Sequence, residues 1–296
     1  MNRVIKKVFV IGSTGFIGRR LVDCLVQENA FDVSGIASKD IDFLNRQAVC
    51  EQIPKLAQDA IVVMTAAITP DRGGDCLTSF QKNITMDVNI AEAVQSTKIR
   101  KMIYLSSVDI YGRENLILPL NEDSKLQPSN FYGLAKLAGE GVFQQICKKN
   151  NIPLSIIRPG PIYGPQDTHQ SPIQKMVQAA VKEEAIKLIG NGEEVRDFIY
   201  IDDAIKMLKI LIERNCPGVF HAVTSRSRKI KEIVQILENF CGHPLRTEPP
   251  VPNPDSDMLF EKPKLLEEGL EFDFTSLEEG LKKTFEYTRQ CLGQHT

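Results

Sequence analysis

The sequence lacks an excess of charge of either sign. Its 296 residues include 36 Lys and Arg against 38 Asp and Glu, which leaves a formal net charge of -2 at pH 7. Proteins that bind nucleic acid through its phosphates usually carry a basic surplus, because each contact neutralises a negative charge. The composition therefore favours a small molecule as the partner and gives no indication of nucleic-acid binding.

The sequence also lacks the cysteine and histidine spacings of disulfide frameworks and metal sites. The seven cysteines are an odd number and include no Cys-x-x-Cys pair, and the four histidines are not spaced to share one helix face. Zinc sites and disulfide scaffolds need such regular spacings. We therefore expect neither a disulfide framework nor a bound metal.

Long apolar runs are missing as well. No run reaches the roughly 18 residues that a membrane-spanning helix needs. The stretch from Met1 to Lys7 carries charges and has no apolar core of the kind found in signal peptides. We expect a cytoplasmic protein with no membrane partner.

What the sequence does contain is a regular alternation of short apolar runs and helical patterns. The apolar runs, which are typical of buried strands, are Val4–Ile11, Phe31–Ala37, Asp59–Thr65, Lys101–Ser106 and Pro153–Ile157. The helical patterns between them are Phe16–Gln27, Phe43–Ala57, Cys76–Lys98 and Asn130–Lys149. This order predicts an α/β protein with a Rossmann-like, doubly wound parallel sheet.

The alternation weakens after Ile157, where prolines and glycines cluster in Pro159–Pro165. We predict an NAD(P)-binding Rossmann domain over residues 1–165, with returning segments near 190–225, and a mainly substrate-binding lobe over 166–296. Further helical patterns in this smaller C-terminal lobe are Ile201–Glu213, Lys229–Phe240 and Ser276–Tyr287.

A glycine-rich turn joins the first predicted strand to the first helix. Glycines permit a tight turn and a close approach to a pyrophosphate, and the helix N-terminus offers free N–H groups and a partial positive charge. The pattern predicts a dinucleotide site, although a turn with only a structural role is the alternative. The cofactor-binding residues predicted here are Gly12, Thr14, Gly15, Phe16, Ile17 and Gly18.

The end of the second predicted strand bears on the choice of cofactor. An NAD enzyme usually has an acidic residue there, which meets the ribose of the adenosine. This chain has Ala37-Ser38-Lys39 instead, and Asp32 lies at the other end of the strand. With Ser38 and Lys39 available to bind a 2′-phosphate, NADP(H) is favoured over NAD(H). The alternative is that Lys39 is an ordinary solvated charge.

Three residues form a candidate catalytic set. Ser107 follows the strand Lys101–Ser106, and Tyr132 and Lys136 occur 25 and 29 positions later. In a helix, positions i and i+4 share one face, so the phenol and the ammonium point into one site. We expect the ammonium to lower the pKa of the phenol so that Tyr132 exchanges a proton with a substrate oxygen. Ser107 would hydrogen-bond that oxygen.

These residues resemble the extended short-chain dehydrogenase/reductase superfamily, in particular the NAD-dependent epimerase/dehydratase family. The resemblance extends over almost the whole chain, and its last pair of landmarks is typical of the nucleotide-sugar branch. The landmarks are Gly12–Gly18, Met64–Ala67, Ser106–Gly112, Tyr132–Lys136, and Arg158–Pro165 together with Arg196–Tyr200.

The resemblance implies roles for further residues. Tyr132 and Lys136 would also contact the cofactor, and the nucleotide sugar would meet Ser107, Asp109 and Arg196, the last through its diphosphate. It also implies a homodimer built on the helices Cys76–Lys98 and Asn130–Lys149. The other cofactor-binding positions that it implies are Asp42 at the adenine, Ala66 and Ala67 along the cofactor, Asn83 in support and Pro159.

The same resemblance narrows the reaction. Dehydratases of this family have Thr-Asp-Glu where this chain has Ser107-Val108-Asp109, and the compact stretch between Ala37 and Asp59 is similar to that of 4-ketosugar reductases. We therefore expect an NADPH-dependent reductase of a nucleotide-linked 4-keto-6-deoxy sugar. The alternatives are a nucleotide-sugar 4-epimerase with tightly bound NAD and a catalytically silent NAD(P)-sensing protein.

Overall fold

The computed structural model describes residues 5–167, 171–188, 191–248, 257–267 and 272–293. These residues form two compact units. The first comprises the described residues of Met1–Gly112, Lys125–Pro159 and Ile205–Phe220. The second comprises those of Arg113–Ser124, Gly160–Ala204 and His221–Thr296.

Strands and helices alternate along the first two thirds of the chain. The strands are β1 (Lys6–Ile11), β2 (Phe31–Ile36), β3 (Ile61–Met64), β4 (Lys101–Leu105), β5 (Leu154–Pro159), β6 (Ile162–Tyr163), β7 (Val195–Arg196), β8 (Ile199–Tyr200), β9 (Gly218–Ala222) and β10 (Arg228–Lys229). The helices are α1 (Phe16–Gln27), α2 (Arg46–Ala57), α3 (Pro70–Gly73), α4 (Leu77–Gln95), α5 (Phe131–Lys149), α6 (Pro172–Val181), α7 (Ile201–Glu213), α8 (Ile230–Cys241), α9 (Lys264–Glu267) and α10 (Leu277–Gly293).

The core is a six-stranded sheet with the strand order β2-β1-β3-β4-β5-β9. The pairs from β2 through β5 are parallel. Parallel strands are covered by helices on both faces, so they are apolar throughout rather than in alternation. Residues Val8–Ile11 and Val62–Met64 are accordingly fully buried. The predicted Rossmann-like sheet is confirmed.

Asparagine side chains cap the starts of the helices α2 and α5. Asn45 accepts a hydrogen bond from the backbone N–H of Ala48 at the start of α2. Asn130 does the same for Gly133 at the start of α5, where Asp75 also accepts from the N–H of Tyr132. Such caps satisfy N–H groups that have no partner within the helix. They fix the register of α5, which carries two candidate catalytic residues.

The register of the sheet brings three loops to one edge. Ile11 is paired with Met64, and Met64 with Tyr104. Because β1, β3 and β4 are parallel, the segments that follow them all leave the sheet at its carboxyl edge. Ligands of open α/β sheets bind at this edge. The glycine-rich turn, the loop 65–69 and the segment 106–112 are therefore neighbours.

In the second unit three helices pack together, α6 with α8 and both with α10. The contact of α8 with α10 includes the rings of Phe240 and Phe285, whose centroids are 5.7 Å apart. Short strands add two small sheets, β6 with β8 and β7 with β10. The predicted helices at Ile201–Glu213, Lys229–Phe240 and Ser276–Tyr287 are found within a few residues as α7, α8 and α10.

The longest elements that were not predicted from the sequence are the helix α6 and the strand β9. The helix α6 begins after the Ser171 cap with Pro172 at its first turn, and β9 adds a sixth strand beside β5. Neither segment follows the regular β-α order of the N-terminal half. In the described part of the chain, none of the helices has the length and apolar character needed to cross a membrane.

We predict that Gly18→Ala destabilises the protein by about 1–3 kcal/mol, as expected for overpacking. A Cβ at this position would overlap the carbonyl oxygen of Gly12 and lie 2.7 Å from Oγ1 of Thr65. The measurement is the free energy of unfolding in denaturant. Gly141→Ala in α5 is the control. Apart from the backbone of its own helix, no heavy atom lies within 4 Å of the added Cβ. Because alanine is the better helix former, this variant should be more stable than the wild type by up to about 1 kcal/mol. Equal effects of the two variants would contradict the prediction.

Candidate active site

The turn after β1 accepts only glycine at its first position. Gly12 has a φ of +90°, and its N–H donates to the carbonyl oxygen of Ile36 at 2.8 Å. A Cβ there would lie 2.7 Å from the backbone nitrogen of Ala66. The turn is therefore held tightly between β2 and the loop after β3.

The N-terminus of α1 is open to an anion. Gly15 is its N-cap residue and offers no side chain to the helix N–H groups. Thr14 is exposed, Phe16 is buried and Ile17 is half-buried. Free N–H groups and the helix dipole bind phosphates in this arrangement, so the turn fits a dinucleotide pyrophosphate. Gly18 differs in role, because its missing side chain lets α1 pack on the turn itself.

The loop after β3 is held in place by Asn83 of α4. The Asn83 side chain accepts from the N–H of Ile68 at 2.8 Å and donates to the Ile68 carbonyl oxygen at 2.9 Å. Asn83 is 4% exposed, whereas Ala66 and Ala67 are half-buried. Asn83 thus positions the backbone that carries the two alanines, which is how a supporting residue acts.

At the end of β2 the side chains of Ser38, Lys39 and Asp42 are all exposed. Asp42 accepts a hydrogen bond from the N–H of Leu44 at 2.9 Å. The structure adds a residue that the sequence analysis missed, because Asp40 accepts from the N–H of Ala37 at 2.9 Å. A carboxylate therefore does lie at this strand end, four residues after β2. The available signal was the Asp itself, next to Lys39 in the sequence.

Ser107 and Asp109 form a local pair at the end of β4. The Ser107 hydroxyl donates to Oδ2 of Asp109 and accepts from the Asp109 N–H, both at 3.1 Å. Ser107 is 7% exposed, and Asp109 is half-buried rather than fully solvated. The backbone of Asp109 touches α5 at Gly133, where a Cβ would overlap the Asp109 carbonyl oxygen. This contact brings the Ser107–Asp109 pair beside the first turn of α5.

Tyr132 and Lys136 lie one turn apart on α5. The Lys136 ammonium is 5.9 Å from the centroid of the Tyr132 ring and 2.7 Å from the carbonyl oxygen of Leu105, to which it donates. Lys136 is 4% exposed and Tyr132 is half-buried. The spacing in the sequence therefore corresponds to a real juxtaposition at the end of β4.

The electrostatics differ from the expectation in one respect. Burial raises the pKa of Tyr132 well above its usual value, and the carboxylates of Asp109, Asp71 and Asp87 raise it further. Burial also lowers the pKa of Lys136, whereas the negative charges of Asp87 and Glu140 raise it. The predicted lowering of the phenol pKa by Lys136 is therefore wrong for this structure, because desolvation dominates. Tyr132 is a neutral phenol at neutral pH.

A second buried network was missed in the sequence. Arg158 donates to Glu140 through Nε at 2.9 Å and Nη2 at 2.7 Å, and to the Tyr111 hydroxyl through Nη1 at 2.8 Å. Its side chain is 4% exposed and that of Glu140 is 2% exposed. The available signal was Glu140 four positions after Lys136, on the same helix face. The network ties α5 to β5, whose last residue is the buried Pro159.

In the second unit Arg196 is half-buried on β7, where its Nη1 donates to the Val195 carbonyl oxygen at 2.9 Å. The neighbouring Asp197 is fully buried and accepts from the N–H of Thr224 at 2.7 Å and from its hydroxyl at 2.9 Å. Asp197 thereby holds the segment that leads to Arg226.

Two neighbouring cavities of the second unit, of about 60 and 470 Å³, share Thr224, Arg226 and Phe274 in their linings. Arg228 lines the smaller cavity and Lys262 the larger one. Basic and aromatic side chains together suit the phosphates and base of a nucleotide. These residues were not predicted from the sequence, although basic residues are concentrated in Arg226-Ser227-Arg228-Lys229.

No group of three or more His, Cys, Asp or Glu that could hold a metal ion occurs within the residues that the structure describes. The cysteines at positions 24, 50, 76, 147, 216, 241 and 291 are all free thiols.

Comparisons with known proteins agree with this geometry. A family model described as the NAD dependent epimerase/dehydratase family matches residues 8–221. Among curated proteins, an uncharacterized UDP-glucose epimerase of Bacillus subtilis is 22% identical over 262 residues, covering 80% of this chain and 82% of the relative. A GDP-6-deoxy-D-talose 4-dehydrogenase of Aggregatibacter actinomycetemcomitans is 26% identical over 242 residues, covering 80% and 81%.

Solved structures share the fold. A UDP-glucuronic acid 4-epimerase of Bacillus cereus, in complex with UDP-glucuronic acid and NAD, superposes with a TM-score of 0.84 at 24% identity and covers 96% of this chain and 99% of its own. A UDP-glucose 4-epimerase of Thermus thermophilus in complex with NAD gives a TM-score of 0.85 at 19% identity, covering 96% and 99%. The family model matches most of this chain, and the chain has the fold of these solved structures. The chain therefore belongs to the NAD-dependent epimerase/dehydratase family, as its motifs predicted.

Proposed function

We propose that the protein is an NADPH-dependent reductase of a nucleotide-linked 4-keto-6-deoxy sugar. The observation that carries this proposal is the placement of Tyr132 beside Lys136 and the Ser107–Asp109 pair at the end of β4; burial and nearby carboxylates, which raise the pKa of Tyr132, favour its protonated form. Reduction of a ketone needs a proton donor, whereas oxidation of an alcohol needs a base. A phenol that stays neutral is prepared for reduction.

In the proposed reaction the C4 carbonyl of the sugar becomes an alcohol. The cofactor, when bound, supplies the hydride that adds to carbon 4. Tyr132 gives its phenolic proton to the oxygen, and the hydroxyl of Ser107 hydrogen-bonds that oxygen as charge develops on it. The Lys136 ammonium, near the Tyr132 ring, stabilises the phenolate that remains. In the structure the single Ser107 proton is donated to Asp109; when substrate binds, the hydroxyl turns this proton to the sugar oxygen and still accepts from the Asp109 N–H.

A 4-epimerase with tightly bound NAD is the second candidate. A curated relative and several structural neighbours are described as 4-epimerases, and the two neighbours described above were solved with NAD. An epimerase must first remove a proton from an alcohol, which a phenol of raised pKa does poorly. A catalytically silent NAD(P)-sensing protein is a weaker candidate, because it has no need of a buried lysine beside a tyrosine.

For the cofactor we propose a preference for NADP(H) over NAD(H). Ser38 and Lys39 are exposed at the end of β2, where a hydroxyl and an ammonium can bind a 2′-phosphate. Asp40 works against this preference through its negative charge, although it is occupied by the N–H of Ala37. The proposed cofactor contacts are the glycine-rich turn, Asp42, Ala66, Ala67, Tyr132, Lys136 and Pro159, with Asn83 in support.

We propose a nucleotide sugar as the substrate because of the two neighbouring cavities of the second unit, which are lined by basic residues. Arg226, Arg228 and Lys262 supply positive charge for a diphosphate, and Phe274 supplies an aromatic face for a base. Arg196 remains our proposal for a diphosphate contact. Ser107 and Asp109 are the proposed contacts of the sugar itself.

We further propose a homodimer that pairs α4 and α5 of two copies. Large apolar side chains are exposed along these helices, at Leu77, Val88, Phe131 and Leu134. Exposed apolar residues clustered on neighbouring elements favour an interface. A cytoplasmic location also stays a prediction.

We predict that Tyr132→Phe lowers kcat for ketone reduction by about 10²–10⁴-fold, because the variant loses its proton donor. The measurement follows NADPH oxidation with a panel of nucleotide-linked 4-ketosugars. The change removes one oxygen, so the unfolding temperature should stay close to that of the wild type.

Tyr287→Phe, on α10 of the second unit, is the matched control and should retain full activity. No NADPH oxidation by the wild type with any member of the panel would contradict the reductase. Stoichiometric oxidised cofactor released from denatured protein, with turnover that needs none added, would identify the epimerase instead.

We predict that Lys39→Ala raises the KM for NADPH about fivefold to tenfold and leaves the KM for NADH unchanged. The reason is the loss of one charge-assisted contact to the 2′-phosphate, reduced by solvent screening at this exposed position. Initial rates with each cofactor give both constants. Lys98→Ala removes another exposed ammonium, three residues beyond the end of α4, and should change neither. A parallel rise for NADH would refute the assigned phosphate contact.

A further inference from the structure

A buried aspartate lies behind the Tyr132–Lys136 pair. Asp87, on α4, is 4% exposed and accepts a hydrogen bond from the Tyr104 hydroxyl at 2.8 Å. Tyr104 belongs to β4 and is fully buried. A charge in the core is costly unless other groups compensate it. The position of Asp87 therefore calls for an explanation.

Tyr104 connects this aspartate with Lys136. The Lys136 ammonium lies 4.9 Å from the centroid of the Tyr104 ring, within the range of a cation–π contact. One tyrosine thus contacts the cation with its ring and the carboxylate with its hydroxyl. The three side chains come from α4, β4 and α5 and form a continuous chain, which we call the Asp87–Tyr104–Lys136 stack.

The helix α5 is shaped to admit this stack. At Gly139 a Cβ would overlap both the Tyr104 hydroxyl and Oδ2 of Asp87. Glycine in the middle of a helix costs about 1 kcal/mol relative to alanine. Its presence here lets the tyrosine and the aspartate lie against the helix that carries Lys136.

Asp87 is also the carboxylate whose negative charge is available to stabilise the Lys136 ammonium. The titratable groups that face Lys136 are Asp87 from α4, Tyr104 from β4, and Tyr132 and Glu140 from α5. Glu140 is already held by two hydrogen bonds from Arg158, so its charge is neutralised locally. Asp87 has only the neutral hydroxyl of Tyr104 as its hydrogen-bond donor among the contacts described.

We propose that Asp87, acting through Tyr104, is a positioning residue that keeps the Lys136 ammonium charged and fixed beside Tyr132. The inference rests on the proposed function, in which Lys136 stabilises the phenolate left by proton transfer. Asp87 does not touch the reacting atoms in this scheme. It sets the state of the residue that does.

The charge states agree with this role. Burial raises the pKa of Asp87 to about 6, while Lys136 and the Tyr104 hydroxyl act to lower it. Asp87 is therefore ionised at neutral pH, and its charge raises the pKa of Lys136 against the effect of burial. Without that charge, Lys136 should lose its proton at a lower pH.

The direct test measures Lys136 without substrate or cofactor. The 15Nζ chemical shift of lysine-labelled protein, assigned through Lys136→Arg, is followed against pH in the wild type and in Asp87→Asn. We expect the titration midpoint of Lys136 to move to lower pH in Asp87→Asn. An unchanged midpoint overturns the inference, even if the protein is the proposed reductase.

The kinetic test uses the pH profile of kcat/KM for ketone reduction. In Asp87→Asn the alkaline limb should move to lower pH, and kcat should fall while KM for the sugar stays the same. Tyr104→Phe keeps the ring but not the hydroxyl, so it should shift the limb in the same direction by less. A uniform loss of activity at every pH would show a merely structural role and overturn the inference.

Asp203→Asn is the matched control for both measurements. Asp203 is a fully buried aspartate of the second unit that accepts from the N–H of Thr275 at 2.7 Å. Its removal should move neither the Lys136 midpoint nor the alkaline limb. Should no nucleotide sugar be reduced at all, the proposed function fails, but the NMR titration still decides whether Asp87 governs Lys136.

Discussion

The burial of a lysine is the constraint around which the end of β4 and the first turns of α5 are arranged. Lys136 is 4% exposed, and an ammonium leaves bulk water only at a considerable cost unless other groups replace its hydration. The carbonyl oxygen of Leu105 provides one such group. The end of β4, the first turns of α5 and the loop with Ser107 are placed so that this carbonyl, the Tyr104 ring and the phenol of Tyr132 surround one cation.

The buried carboxyl group of Asp87, which lies behind Lys136, lowers the stability of the fold at neutral pH. The pKa of Asp87 rises from 3.8 to about 6 on folding. A carboxyl group whose pKa is higher in the folded state than in the unfolded state stabilises the fold at a pH below the unfolded pKa. That stabilisation is lost as the pH rises through the folded pKa. At neutral pH the ionised Asp87 therefore costs on the order of 3 kcal/mol relative to its protonated form. A protein selected only for stability would have an apolar residue there.

Much of this arrangement was predictable, because it is written in local patterns. Alternating apolar runs gave the sheet and helices, and α1 and α7 were found at the predicted residues. The i, i+4 spacing placed Tyr132 and Lys136 on one helix face. Asp87 and Arg158 could not be found in this way, because their partners, Tyr104 and Glu140, are 17 and 18 residues distant along the chain. Contacts between separate elements leave no periodicity in the sequence.

The phenol pKa shows why pattern alone also misjudges chemistry. The pair of Tyr132 and Lys136 suggests an acidic phenol, since an adjacent cation favours phenolate. Desolvation depends on everything packed around the ring, and here burial and the carboxylates of Asp109, Asp71 and Asp87 raise the pKa of the phenol. Because the two effects have opposite signs, the same two residues favour either proton donation or proton abstraction, depending on their depth and on the carboxylates nearby. The protonation state of Tyr132 is therefore a property of the packing of α4, β4 and α5 rather than of the Tyr-x-x-x-Lys pattern.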